Sequence, residues 1–486
     1  MRRSVRARHV IGYRDGDHCL LRDAEVVWED DTVVYVGPRY EGAVDDHLDC
    51  GDAVVSPGFV DLNALGDIDH AVFDSFQDDE LLTGQDWSTT YAQDGRRELF
   101  SREELAFRRE YALVQLLLHG VTTAVPIAAE TYRAWAETHE ELLDVAEIAG
   151  RLGIRAYLGP SYRAGVPVVD ARGERSMHWD HDEARAGIDA AERFVRDVDG
   201  AFDGRVRGML APARIESQTL ETLAATARLR DELDCPVRLH AGQSLEELDL
   251  LRRRHGARPV PLLKELRLLG PTTIVPHAWA VDDHTQVREG NGADLRDLAE
   301  SGTTVAFCPL ASGRYGMVLE SFDRYLRAGV ALGLGTDTFP PDLLRAIDHG
   351  SAITKTVERR QDAGRVEDLF RAATLGGADA LRRPDLGRLA PGAKADLVVV
   401  ALDDLRTGPV ADPLRTLVLA GSGRDVTHVV VDGRFVVRDG AVPGVDVPAM
   451  RERAQELFDR YQHSFTERDH LHRPTGILMP PTFRTA

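Results

Sequence analysis

Val54-Val55-Ser56-Pro57-Gly58-Phe59-Val60-Asp61, continuing into Leu62-Asn63-Ala64-Leu65, is the stretch on which the reading of this chain turns. Its length and its Val and Phe content predict a buried strand over 54–61. It stands where a β-rich start gives way to a long segment of another kind. Before it, Glu25-Val26-Val27-Trp28 and Thr32-Val33-Val34-Tyr35-Val36-Gly37 flank the polar turn Glu29-Asp30-Asp31. Far downstream the pattern returns in Ala395-Asp396-Leu397-Val398-Val399-Val400 and in Thr427-His428-Val429-Val430-Val431-Asp432-Gly433-Arg434-Phe435-Val436-Val437. Two β-rich ends around a long middle predict one composite β-sandwich built from residues 1–56 and 385–445.

The middle, residues 57–384, alternates strand-like and helix-like patterns, the mark of βα units. Candidate strands are 54–61, 121–127, 154–158, 206–211, 236–240, 272–276, 303–307 and 331–335. Eight such units predict an α/β fold, a (β/α)8 TIM barrel with long loops. Residues 66–100 form a long polar segment after the first strand, and a loop of that length at that end of a barrel covers an active site. Residues 446–486 read as a helix from Pro448 to about Phe465 and a tail.

The 486 residues carry 43% hydrophobic and 29% charged residues, ordinary for a globular protein with one large domain and a smaller one. A net charge of -21 opposes nucleic-acid binding, because phosphates would be repelled. Cys19, Cys50, Cys235 and Cys308 are scattered without a CxxC pair and read as reduced thiols of a cytoplasmic protein. The basic start Met1-Arg2-Arg3-Ser4-Val5-Arg6 is followed by no apolar leader. No apolar run approaches the ~20 residues of a membrane helix.

In a barrel of this type, catalytic side chains sit at the C-terminal ends of strands. His240 ends the fifth candidate strand, in Pro236-Val237-Arg238-Leu239-His240-Ala241-Gly242-Gln243; His277 ends the sixth, in Thr273-Ile274-Val275-Pro276-His277; Asp337 ends the eighth, in Gly333-Leu334-Gly335-Thr336-Asp337. Singly, each reads as a hydrogen-bonded structural histidine or a turn. Three polar strand ends in the register of one barrel mouth point to a reactive centre. Tyr162 and Arg163 follow the third strand, and Glu216 and Gln218 follow the fourth. Trp87, Tyr91, His178 and Trp179 sit in long loops, where rings can stack on a planar substrate; packing is the alternative for each. Cys308 reads as a small buried residue.

These segments carry a resemblance. The chain is similar to the amidohydrolase superfamily, in its branch of atrazine-type chlorohydrolases and cytosine and guanine deaminases. Gly256-Ala257-Arg258-Pro259-Val260-Pro261-Leu262-Leu263 resembles that branch's approach to strand six, Val305-Ala306-Phe307-Cys308-Pro309-Leu310 its strand-seven motif, and Leu332-Gly333-Leu334-Gly335-Thr336-Asp337 its strand-eight motif. Leu386-Gly387-Arg388-Leu389-Ala390-Pro391-Gly392-Ala393-Lys394-Ala395-Asp396 resembles the return to the sandwich. The resemblance implies that His240 and Asp337 are metal ligands, that Asp337 also accepts a proton from the attacking water, and that His277 binds metal or polarises substrate and water. The strand-four lysine of two-metal branches has no counterpart in Arg207-Gly208-Met209-Leu210-Ala211-Pro212.

Two departures matter. The resemblance implies His-x-His at the end of strand one, where this chain has Asn63 and Leu65, and Leu offers no lone pair. Gln243 stands where deaminases carry a proton-shuttling Glu, and a neutral amide cannot shuttle protons; Gln243 and Asn63 are expected to contact substrate instead. His240, His277 and Asp337 can hold Zn²⁺ or Fe²⁺ with open positions, completed by Asp67, Asp69 or His70 from the first loop. Without metal, Asp337 and His277 form a carboxylate–imidazole pair.

The expectation is a hydrolase acting on a C–N or C–halogen bond of a small polar, heteroaromatic molecule through a degenerate metal site. His240, His277 and Asp337 are its centre, and Gln243, Asn63, Tyr162, Arg163 and Glu216 its substrate contacts. A homodimer, no membrane and no nucleic-acid partner are expected. The alternatives are a lyase or cyclase on the same barrel, or a binding protein with a dead site.

Overall fold

The structure is a computed structural model that describes residues 1–68, 79–128, 130–317 and 319–483. Asp69 and His70 lie outside the described residues. Eight short parallel strands carry the middle of the chain: β1 (Phe59–Leu65), β2 (Val121–Ile127), β3 (Arg155–Leu158), β4 (Val206–Gly208), β5 (Val237–Arg238), β6 (Thr273–Pro276), β7 (Thr304–Phe307) and β8 (Ala331–Leu334). They form two four-stranded sheets, β1-β2-β3-β4 and β5-β6-β7-β8. At one seam Leu210 N donates to Pro236 O at 2.9 Å and Arg238 N to Leu210 O at 3.0 Å. At the other, Asp337 N donates to Asn63 O at 2.9 Å. Among the described residues no continuous ladder closes the two sheets into one.

Helices follow most strands, and their ends are written locally. Ser101 and Glu104 form a capping box before the helix Arg102–Leu118, and Thr138 caps His139–Leu152, which ends on left-handed Gly153. Ser244 caps Leu245–His255 after β5. Their apolar faces pack on the strands in one large core.

Both ends of the chain build one eight-stranded sheet, in which Ala53–Pro57 pairs with Leu397–Ala401. The strand expected over 54–61 is therefore two strands, one in each unit, broken at Gly58. The break has a cause in packing. Gly58 N donates to Asp396 O at 3.0 Å, and a Cβ on Gly58 would stand 2.1 Å from Thr122 Oγ1. The terminal sheet and the parallel strands are joined by a buried ion cluster. Arg155, at the start of β3, bonds Asp396 at 2.6 Å and Asp432 at 2.5 Å, and Arg205 bonds Asp432 at 2.9 Å.

The helix Val447–Arg468 packs Leu457, Tyr461 and Phe465 on Ile68, Phe100 and Tyr132, and so backs the segment that follows β1. No helix among the described residues is long and apolar enough to cross a membrane.

Candidate active site

Three of the expected residues converge. The ligand atoms of His240, His277 and Asp337 lie within 4.8 Å of one another. His240 follows β5 and both histidines are buried, their ring centroids 5.4 Å apart. His240 Nδ1 lies 3.1 Å from the carbonyl of Ala213. A carbonyl only accepts, so Nδ1 carries the proton and Nε2 keeps its lone pair for the site. Burial, reinforced by the positive charge of Arg238, holds His240 well below the usual imidazole range, so it is neutral at neutral pH. His277 Nδ1 lies 3.3 Å from Ser312 Oγ, and its Nε2 lies 3.2 Å from Asp337 Oδ2 without making a hydrogen bond. His277 and Asp337 both adopt positive φ, at 63° and 47°. Backbone of that kind in non-glycine residues collects at functional sites.

Two imidazoles and a carboxylate with converging donor atoms suit a divalent ion with open coordination positions. The orphaned, buried Nε2 of His277 is what such an ion would satisfy. The first strand contributes nothing to this set. Leu65 is buried, and Asn63 is engaged through its Oδ1 with Arg238 Nη1 at 3.3 Å and through its Nδ2 with Cys308 Sγ at 3.8 Å. Asp67 does not complete the set either. It is fully buried and its carboxylate is bound by Arg108 at 2.5 Å, Arg109 at 3.3 Å and Tyr132 at 2.9 Å, so it anchors the first loop rather than a metal.

The expected substrate contacts divide. Gln243 follows His240, and its Oε1 is buried without a protein partner. Its backbone is fixed: N donates to Glu247 Oε2 at 2.9 Å, and O accepts from Trp279 Nε1. Glu216 is partly buried beside Arg214, 3.9 Å away, and burial raises its carboxyl. Tyr162 departs from expectation. It is buried in the main core with its hydroxyl 2.7 Å from Thr226 Oγ1. Arg163 is clasped by Trp87 and Trp135, 5.1 and 5.4 Å from their centroids, and pairs with Glu130 at 3.5 Å. Trp87 and Tyr91 belong to the same aromatic cluster. His178 lies edge-on to Trp135, and Arg254 stacks on Trp179 at 4.0 Å. Cys308 is buried, and burial pushes its thiol well up, in keeping with a packing role.

Sequence reasoning missed several buried groups. Glu247 sits under the loop after β5, where burial and neighbouring Glu216 raise its carboxyl to about 8. Glu130 and Glu137 follow β2, and burial raises Glu137 to about 7. Arg238 enters the interior two residues before His240. The only signal for it was strand alternation, which puts residues i and i+2 on one face.

The Amidohydrolase family model matches residues 54–436. The chain is 29% identical over 416 residues to a 5-methylthioadenosine/S-adenosylhomocysteine deaminase of Haloarcula marismortui, covering 85% of this chain and 88% of that protein. It is 32% identical over 353 residues to an 8-oxoguanine deaminase of Pseudomonas aeruginosa, covering 72% of this chain and 75% of that protein. Among solved structures, an adenosine deaminase from Xanthomonas campestris with bound zinc matches with TM-score 0.79 at 22% identity, over 95% of this chain and 98% of that one. Atrazine chlorohydrolase from Arthrobacter aurescens TC1 complexed with zinc matches with TM-score 0.75 at 21% identity, over 94% of this chain and all of that one. These last two likenesses are of fold.

Proposed function

Since the chain belongs to the Amidohydrolase family, we propose that it hydrolyses a C–N or C–halogen bond on a small heteroaromatic ring, and that His240, His277 and Asp337 are its reactive centre. The eight parallel strands are read as a (β/α)8 barrel over 57–384, with a composite sandwich from 1–56 and 385–445 and a helical tail from 446. The observation that carries the function is the convergence of the three donor groups at strand ends. The purine-type substrates of the named relatives supply the ring class.

A divalent ion held by His240, His277 and Asp337, Zn²⁺ or Fe²⁺, would supply Lewis acidity and acidify a bound water. The protein's own part is then to aim and to move protons. Ala213 fixes the His240 tautomer. Asp337 takes the proton of the attacking water, and His277, whose Nε2 lies 3.2 Å from Asp337 Oδ2, polarises the water. Water adds at the ring carbon, the carbon–leaving-group bond breaks with the electron pair going to the departing group, a halide leaving as the free anion, and the hydroxylated ring is released as Asp337 gives its proton to solvent. Gln243 orients the substrate by hydrogen bonds but carries no proton to the departing group. The centre therefore suits leaving groups that depart with little protonation, halide before amine.

The test compares a chloropurine nucleoside with its amino counterpart under the same conditions. The chloro compound should be turned over faster, and Asp337→Asn or His240→Ala should lower kcat by at least roughly 10³-fold with the fold retained by circular dichroism. Turnover of neither compound, or full activity in Asp337→Asn, overturns the reading. A second reading rests on the 3.2 Å approach of His277 to Asp337, which suits metal-free acid–base hydrolysis. Activity that survives complete chelation but not Asp337→Asn would select it.

A further inference from the structure

Arg238 is a buried cation in an unusual place. It stands two residues before His240, so strand alternation sends both side chains into the interior. The residue is 2% exposed, its Nη1 donates to Asn63 Oδ1 at 3.3 Å, and its Nε has no hydrogen-bond partner among the described residues. Asn63 is the strand-one position where the family resemblance would place a ligand, and its carbonyl accepts the backbone N–H of Asp337 at 2.9 Å. The guanidinium is thus held on Asn63, the strand-one residue whose backbone carbonyl also binds Asp337. Its charge reaches both sides of the centre. Asn63 links it to the Asp337 side, because its side chain takes Arg238 Nη1 and its backbone carbonyl takes the N–H of Asp337. A guanidinium keeps its charge at neutral pH, so the cation is a fixed one.

Two like charges in a dry interior repel strongly, and the repulsion is not screened by salt as it would be at a surface. We propose that Arg238 is a tethered cation that takes the electrostatic place of the missing strand-one ligands, and that it makes the His240–His277–Asp337 site a weak, exchangeable metal site. Resting on the reading of those three residues as a metal centre, this assigns a cause to the weakness beyond the mere loss of two ligands. In the ion-free protein the guanidinium offsets the charge of Asp337. When a dication enters, the same guanidinium opposes it. Arg238 is in this sense a positioning residue, acting on the ligands and not on the substrate.

The experiment measures Zn²⁺ affinity of the full chain directly, by competition with a chromophoric chelator at fixed pH and salt. The proteins are the wild type, Arg238→Met, Arg238→Gln, Arg238→Lys and His240→Ala. Both neutral variants should bind zinc more tightly, by roughly 10-fold or more, a change opposite in sign to the roughly 10- to 100-fold loss that follows when groups supporting the ligands are removed. Arg238→Lys keeps the charge and should bind as the wild type does. Arg238→Gln keeps N–H donors for Asn63, so the inference stays testable if Arg238→Met fails to fold. Unchanged or weaker affinity in a folded neutral variant, or equal tightening in Arg238→Lys, overturns the role of Arg238. His240→Ala separates this from the reading beneath it. If that variant binds zinc as the wild type does, the three residues are not the metal centre at all. If it loses zinc while the neutral Arg238 variants gain nothing, only the role of Arg238 falls.

Discussion

His240 and His277 are each fixed at Nδ1, by Ala213 and Ser312, which turns Nε2 toward Asp337. The residue between chemistry and inertness is Gln243. On the proposed mechanism a carboxylate at its place would pass protons to a leaving amine, and general acid–base assistance of that kind contributes roughly 10²–10⁴-fold. Gln243→Glu should therefore raise turnover of an amino-substituted ring by roughly 10²-fold while changing turnover of the chloro compound little. Steady-state kinetics on the pair would check this, and a uniform change on both would contradict it. At this scale the sequence was legible where a polar residue ends an apolar run, as at His240, His277 and Asp337. It was not legible where burial alone changes a residue's meaning. Tyr162 reads as a candidate contact and is a core residue, and Arg238 reads as ordinary strand alternation and is an interior charge.

At the scale of elements, strand order follows from hydrophobic runs, but strand ends do not. Residues 121–127 were readable as one strand and are one. Of residues 236–240 only Val237–Arg238 form a regular strand, although Leu239 N still donates to Ile274 O at 3.0 Å and His240 O accepts from Ile215 N at 2.9 Å, which carries the extended backbone on to His240. Gly58, between the two strands, has no room for a Cβ beside Thr122, a residue distant in sequence, so no local pattern announces that close approach. Gly58→Ala should force that contact apart and cost about 1–3 kcal/mol, the usual range for overpacking, read as a lower thermal midpoint. His18 provides a second test. On the strand Asp17–Glu29 it is mostly buried, edge-on to Phe370 at 5.2 Å, and burial lowers it from 6.5 to about 4. The unfolded chain therefore binds the extra proton between those values. Its contribution is complete above about pH 6.5 and is lost as pH falls toward about 4, a loss of roughly 3 kcal/mol. Thermal midpoints measured from pH 7 to pH 4 should fall less steeply for His18→Phe than for the wild type. Parallel slopes would assign the acid loss to other groups.

For the whole molecule, the two units are riveted by charges that neither end of the sequence could reveal. Arg155, from the middle of the chain, and Asp396 and Asp432, more than 240 residues later, meet buried, with Arg205 beside them. Removing one partner of such a cluster strands the others, and Arg155→Met should cost about 3–5 kcal/mol. Urea denaturation followed by both fluorescence and circular dichroism would measure it, and a loss under 1 kcal/mol would mean the junction is held by apolar packing instead. The pairing of Ala53–Pro57 with Leu397–Ala401 carries a further consequence, one of time. The two strands are separated by about 340 residues, and ribosomes add roughly 5–20 residues per second. The first strands of the sheet therefore wait about 20–70 s with an open hydrogen-bonding edge before their partner is synthesised. During that interval the nascent chain offers a template for pairing with any other extended segment. The yield of native protein should accordingly depend on translation speed and on how well that edge is shielded while the middle of the chain is still being made.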